Sequence, residues 1–281
     1  MSQPARDEGG WHALRVRPSG DPAAVIAALF AAGSQGVEEV GDAVVTHFPP
    51  HADLDDVRAA VAKADPRADV EVRCAPVADW TEAWKRHVGA HRLGVLTIVP
   101  PWLVEGSDPA RTIVIDPGMA FGTGEHATTR GVVRLMQRVI RPGDLVADVG
   151  AGSAVLAIAA AKLGAARVAA IEIDADAIGN AEENVARNGV SDRVRVIEGD
   201  AAALLPLVAP VRIVLANIIS SVITELLPTI ERALTADGRA ILGGILAAER
   251  EHMLGVLSTA GWRIEAEDAE DAWWSASVAR A

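Results

Sequence analysis

Asp148-Val149-Gly150-Ala151-Gly152-Ser153-Ala154-Val155-Leu156 is the stretch on which the fold of this 281-residue chain turns. The run before it, from Asp144 to Val149, is almost continuously apolar, as in a strand buried on both faces. The run after it, Ser153 to Leu163, reads as a helix, so the two glycines sit in a strand-to-helix turn. Glycine there lets the backbone pass close to a ligand where a Cβ would collide. Outward from the turn, apolar strands and helices alternate: strands at 167–171, 194–197, 211–216 and 239–243, with helices between them. The chain ends in two strands without a helix between, 262–266 and 273–278. This pattern predicts an α/β fold: a doubly wound, largely parallel sheet closed by an antiparallel return. In such sheets ligands bind beyond the carboxyl ends of the strands, where the glycine turn stands.

The residues ahead of this series have a different rhythm. Trp11 to Arg17 alternates apolar and polar, a helix opens at Asp21-Pro22, and segments 36–40 and 43–48 flank Gly41-Asp42 as a hairpin. Asp53 then caps a second helix, and 68–73 is another strand. The order β-α-β-β-α-β predicts a smaller α+β, ferredoxin-like domain over residues 1–75. Residues 76–100 are expected to form a linker with a short helix, Trp80 and Trp84 sharing one face, and 101–281 the larger domain.

Composition limits what this architecture does. A single Cys74 excludes a disulfide scaffold or a cysteine-cluster metal site, and no metal ligands are assigned. The longest apolar run, 154–161, is far short of a membrane span, and 1–8 lacks an apolar signal core, so a cytoplasmic location without membrane contact is expected. The net charge is -12, with -5 through Ala75 and -7 beyond it. With no basic stripe, no Tyr and three Phe, direct nucleic-acid binding is not expected. An acidic surface is simply soluble, or it attracts basic partners.

Glu172 ends the next strand, 22 positions after Gly150, where a carboxylate meets ribose hydroxyls in nucleotide-binding sheets. The dinucleotide fingerprint requires a third glycine where Val155 stands. The glycine pair, Glu172 and the antiparallel ending point instead to S-adenosylmethionine, which has no pyrophosphate to cradle. A second glycine-rich loop, 116–129, offers Phe121 as a cap over the cofactor and Thr129 as a hydrogen-bonding group at a helix start. His126 reads as a general base or as a structural hydrogen-bonding residue. Asn217, after the strand 211–216, either orients a substrate amine or merely terminates the strand. Asp200 is placed for an adenine amino group or for a helix cap.

Asp116-Pro117-Gly118-Met119-Ala120-Phe121-Gly122-Thr123-Gly124 with His126 and Thr128-Thr129, together with Asn217-Ile218-Ile219, Gly244-Ile245-Leu246 and Trp273-Trp274, resembles the PrmA family. These are bacterial methyltransferases of large-subunit ribosomal protein eleven. The resemblance runs from Trp80 to the end. It implies a seven-stranded class I methyltransferase sheet and S-adenosylmethionine bound by Thr129, Gly150, Gly152, Glu172, Asn217 and Phe121. It also implies methylation of lysine ε-amines and/or the N-terminal α-amine of a basic ribosomal protein, recognised by the N-terminal domain. Asn217 is then the residue that orients the amine, and the chain is expected to act as a monomer. Three positions depart from the family pattern: Ala154 replaces a glycine, Glu172 an aspartate, and Glu125-His126-Ala127 a Thr-His-Pro. The alternatives are methylation of another protein, a nucleotide-dependent oxidoreductase, or a non-catalytic ribosome-associated binding module.

Overall fold

The computed structural model describes residues 11–20, 22–34, 37–41, 43–48, 52–75, 89–116 and 126–281. It divides into two units, Met1–His87 and Val88–Ala281.

In the first unit the chain forms β1 (Trp11–Arg17), α1 (Ala23–Ala31), β2 (Val37–Val40), β3 (Ala43–Phe48), α2 (Leu54–Ala64) and β4 (Asp69–Ala75). The sheet order is β2-β3-β1-β4, antiparallel throughout. Period-two alternation turns Leu14, Val16, Val44 and Phe48 to one face, where Val25 and Leu29 of α1 and Val57 and Val61 of α2 complete a separate core. Asp53 caps α2 by accepting the Asp55 and Asp56 N–H groups. The connector helix expected around Trp80 and Trp84 lies outside the described residues, as does Asp42 of the expected hairpin turn.

The second unit opens with a three-stranded sheet of β5 (His91–Leu93), β6 (Leu96–Val99) and β7 (Thr112–Val114), two of whose strands fall within the stretch expected as linker. Then follow α3 (Ala127–Met136), β8 (Leu145–Val149), α4 (Val155–Lys162), β9 (Arg167–Glu172), α5 (Ala175–Arg187), β10 (Val194–Glu198) and α6 (Ala201–Val208). The chain closes with β11 (Val211–Asn217), α7 (Ser220–Ala233), β12 (Leu234–Leu246), α8 (Arg250–Thr259), β13 (Trp262–Glu270) and β14 (Trp273–Arg280).

The seven-stranded sheet runs β10-β9-β8-β11-β12-β14-β13. It is parallel from β10 to β12, and antiparallel between β12 and β14 and between β14 and β13. The α/β class and the antiparallel return are therefore as the alternation of elements requires. Helices α3 and α4 supply the core on one face of the sheet, with α5 adding Ala181 and Val185, and α6 to α8 supply the other. Helix α4 is buried over its whole apolar run, Val155 to Ala161, so it has no polar stripe. Each large aliphatic side chain buried there contributes roughly 1.5–3 kcal/mol.

Local chemistry sets where elements begin. α4 starts at Val155 rather than Ser153 because Ala154 adopts a left-handed conformation, φ 63° and ψ 19°. Asp200 is an N-cap, accepting the Ala202 N–H at 2.8 Å. β12 is longer than the expected 239–243, and α8 starts at Arg250 after a 3-10 turn at Ala247–Glu249. Among the described residues no helix is long and apolar enough to cross a membrane.

Candidate active site

The carboxyl ends of β8, β9, β11 and β12 surround a cavity of about 470 Å³. Its floor is the glycine turn. The Gly150 and Ala151 N–H groups donate to the Ile171 carbonyl at 2.9 and 3.1 Å, which pins the turn to β9. Glu172 at the end of β9 secures the next residue. Its Oε2 accepts the Gly152 N–H at 2.7 Å, and its Oε1 accepts those of Ile173 and Asp174 at 2.8 and 2.9 Å. Three of its roughly four lone-pair positions are thus used inside the protein, and the remaining one is on Oε2. From behind the turn, Asp148 Oδ2 accepts the Ala157 N–H at 2.9 Å, satisfying a donor in the first turn of α4.

The opposite wall comes from β11, α3 and β12. Asn217, the last residue of β11, donates from Nδ2 to Thr129 Oγ1 at 3.4 Å, while its Oδ1 is buried without a partner among the described residues. A buried carbonyl oxygen without a donor is destabilising unless something fills that position. Glycines on both sides bring the walls close. A Cβ on Gly150 (φ +71°) would meet Ile218 Cγ2, and one on Gly244 (φ +76°) would meet the Ile218 backbone carbonyl. A non-glycine residue would be strained at either position, and at Gly244 it would also be blocked by backbone.

The mouth is aromatic. His126, the residue before α3, packs edge to face on Trp273 with ring centres 4.7 Å apart, and its Nδ1 shares a 2.9 Å hydrogen bond with Thr128 Oγ1. Burial, then the neighbouring Arg130 charge, holds the imidazole below its ordinary pKa, favouring the neutral ring. Arg130 itself is ion-paired to Glu270, and Arg134 to Asp268 and Glu270, which ties α3 to β13 beneath the mouth.

Of the residues singled out in the sequence, Thr129, Gly150, Gly152, Glu172 and Asn217 line one cavity. Phe121 lies outside the described residues. Asp200 is not among the lining residues. Trp273, Ile173 and Val222 also line the cavity, and sequence reasoning assigned them no part in it. Trp273 reaches the site only because β14 returns antiparallel beside β12, opposite Leu246. Ile173, directly after Glu172, was the one of the three open to inference from position alone. Ala154 takes a positive φ, so its extra methyl group sits in a conformation that favours glycine.

Comparison with known proteins adds four findings. The profile of the family described as "Ribosomal protein L11 methyltransferase (PrmA)" matches residues 27–281. A relative named ribosomal protein L11 methyltransferase from Symbiobacterium thermophilum is 37% identical over 268 residues, covering 93% of this chain and 83% of its own. A relative of the same name from Thermus thermophilus is 41% identical over 196 residues, 69% of this chain and 75% of its own. The crystal structure of a ribosomal protein L11 methylase from Lactobacillus delbrueckii subsp. bulgaricus superposes with a TM-score of 0.60 at 32% identity, over 68% of this chain and 98% of that one.

Proposed function

The chain belongs to the ribosomal protein L11 methyltransferase (PrmA) family, and we propose that it moves methyl groups from S-adenosylmethionine to lysine ε-amines and/or the N-terminal α-amine of ribosomal protein L11. The observation that carries the reading is the buried Oδ1 of Asn217, unpartnered among the described residues, beside the cavity that Glu172 and the glycine turn line.

The residues fit the donor. Gly150 and Gly152 leave the backbone bare at the turn, and Glu172 Oε2 keeps one acceptor position, enough for a single ribose hydroxyl. Ile173 offers an apolar wall beside it. Thr129 at the α3 start and, from its sequence position, Phe121 complete the set proposed to hold the cofactor. When bound, that cofactor supplies an already activated methyl group, so the protein's part is positioning.

The incoming ammonium must lose a proton before it is a nucleophile. Desolvation against Ile218 and Trp273 lowers its pKa. Asn217 Oδ1 then accepts the N–H of the neutral amine and turns its lone pair inward, while Thr129 Oγ1 fixes the amide through Nδ2. The neutral His126 ring, tied to Thr128 through Nδ1, serves as a wall with Trp273 rather than as a second positive charge. The acidic surface, at -12, suits a basic protein substrate. The N-terminal unit is proposed to recognise that substrate, with the enzyme acting in the cytoplasm as a monomer and on protein rather than nucleic acid.

The test is transfer of labelled methyl from S-adenosylmethionine to purified L11, with mass spectrometry of the acceptor. Label on lysine or the α-amine is expected. In Asn217→Ala, kcat should fall about 100-fold, with cofactor Kd changing far less. Equal losses in both would make Asn217 a cofactor-binding residue only, and absence of transfer by the unsubstituted protein would defeat the reading.

A further inference from the structure

One carboxylate beside the site has no part in the chemistry above. Asp148 is fully buried below the glycine turn, two residues before Gly150. Its Oδ2 caps the first turn of α4 through the Ala157 N–H, and its Oδ1 has no hydrogen-bond partner among the described residues. Burial pushes its carboxyl up to about 7; the Ala157 bond opposes this, and the charge of Glu172 adds to it.

Among the described residues, the groups packed around it leave it without a counter-charge. β9 contributes Glu172, a second negative group. On β11 the only ionisable residue is Arg212, ion-paired to Asp144 at the far end of β8. α4 is apolar up to Lys162 in its last turn, whose Nζ donates to the Pro109 carbonyl. On α3, Arg130 and Arg134 are ion-paired to Glu270 and Asp268. α6 carries no ionisable residue. Among the described residues lining the cavity, none is Lys or Arg, and the one basic group is His126, held towards its neutral form. The cavity therefore has Glu172 in its lining and Asp148 beneath its glycine turn, and no fixed cation among the described residues of the lining.

We propose that Asp148, buried beneath the glycine turn, is a proton-linked counter-charge for the methyl donor: its carboxyl gives up a proton to solvent when a cofactor of net positive charge binds above the turn. This rests on the assignment of the cavity to S-adenosylmethionine and goes beyond it. The donor carries a sulfonium and an α-ammonium against one carboxylate. The demethylated product, S-adenosylhomocysteine, lacks the sulfonium and is neutral overall. The linkage therefore acts on donor more than on product, and it favours donor over product as pH rises through neutrality.

The sign follows from binding the deprotonated form. Donor affinity is full above the free-protein pKa and weakens as pH falls below it, by about tenfold from pH 8 to pH 6. Titration calorimetry in two buffers of different ionisation enthalpy reads the proton directly. Near pH 7 the donor should release about half a proton, and the product distinctly less. Asp148→Asn, which keeps an oxygen for the Ala157 N–H, should flatten the pH profile and abolish the release. His126→Gln should retain both, and it keeps the test valid if the Asp148 variant does not fold. Release lost in His126→Gln but kept in Asp148→Asn would overturn the proposal, as would donor binding independent of pH. If neither donor nor product binds the unsubstituted protein, the cofactor assignment itself fails, a result distinct from pH-independent binding.

Discussion

Ala154 carries a methyl group in a backbone conformation that ordinarily belongs to glycine. At φ 63° its Cβ crowds the neighbouring carbonyl, a strain of roughly 1–2 kcal/mol for an L-residue. The strain is stored in a turn braced on three sides, by Ile171, Glu172 and Asp148, so the turn does not relax around it. Ala154→Gly should therefore raise stability by about 1 kcal/mol, since part of the relief is lost to the freer unfolded chain. Urea unfolding measures this, and cofactor affinity should be equal or tighter. A less stable variant would mean that packing of the fully buried methyl outweighs the strain. Two glycines admit the opposite experiment. A methyl on Gly150 would meet the end of a side chain, Ile218 Cγ2, whereas one on Gly244 would meet the Ile218 backbone. A side chain can rotate away and a peptide cannot. Gly244→Ala should accordingly weaken cofactor binding more than Gly150→Ala, by equilibrium titration of both.

At the scale of elements, the parts of the site visible in the sequence are those placed by local rules. Gly150 and Gly152 stand between a buried strand and a helix, and Glu172 and Asn217 end parallel strands, so all four fall at the carboxyl edge by topology alone. Trp273 and the approach of Gly244 to Ile218 depend instead on the register of β14 against β12, which contains an irregularity between Leu242 and Ile245. Nothing local specifies that register. The left-handed Ala154 was hidden for a different reason: composition does not report φ. Another non-local device, the Arg212–Asp144 pair, ties the start of β11 to the start of β8 with both side chains nearly buried. Burial raises the Asp144 pKa, but the bonds from Arg212 and the Arg141 N–H outweigh it and hold the carboxyl below its ordinary value. Its stabilisation is present above the unfolded carboxyl pKa and is lost as pH falls through the lowered folded value. Arg212→Ala should destabilise the protein by about 3 kcal/mol at pH 7, because the carboxylate is left buried and unpaired. The deficit against the unsubstituted protein should shrink as pH falls, because the variant's buried, unpaired carboxyl takes up its proton before the unsubstituted protein reaches its own lowered value. A deficit constant with pH would show that Arg212 acts through packing alone.

At the scale of the whole molecule, the described residues form three core clusters and three sheets, and these set what each part can do alone. The first unit closes its core with Leu14, Phe48, Leu29 and Val61, and the second holds every described residue of the cavity. A unit with its own core is a candidate to fold by itself. If the N-terminal unit recognises the protein substrate, its removal leaves the chemistry intact and takes away the binding energy that concentrates the substrate at the cavity. Residues 88–281 alone should then bind S-adenosylmethionine within a factor of about three of the full chain, because no cavity residue is lost. Methylation of L11 should fall by about 100-fold in kcat/KM, the range expected when one of two linked contacts is removed. The loss should lie mainly in KM, since Asn217, proposed to orient the amine, remains in place. Charge gives an independent check. The N-terminal 75 residues carry -5, so added salt should depress kcat/KM more in the full chain than in the fragment. A fragment that methylates L11 as well as the full chain, with the same salt dependence, would place substrate recognition on the methyltransferase unit itself.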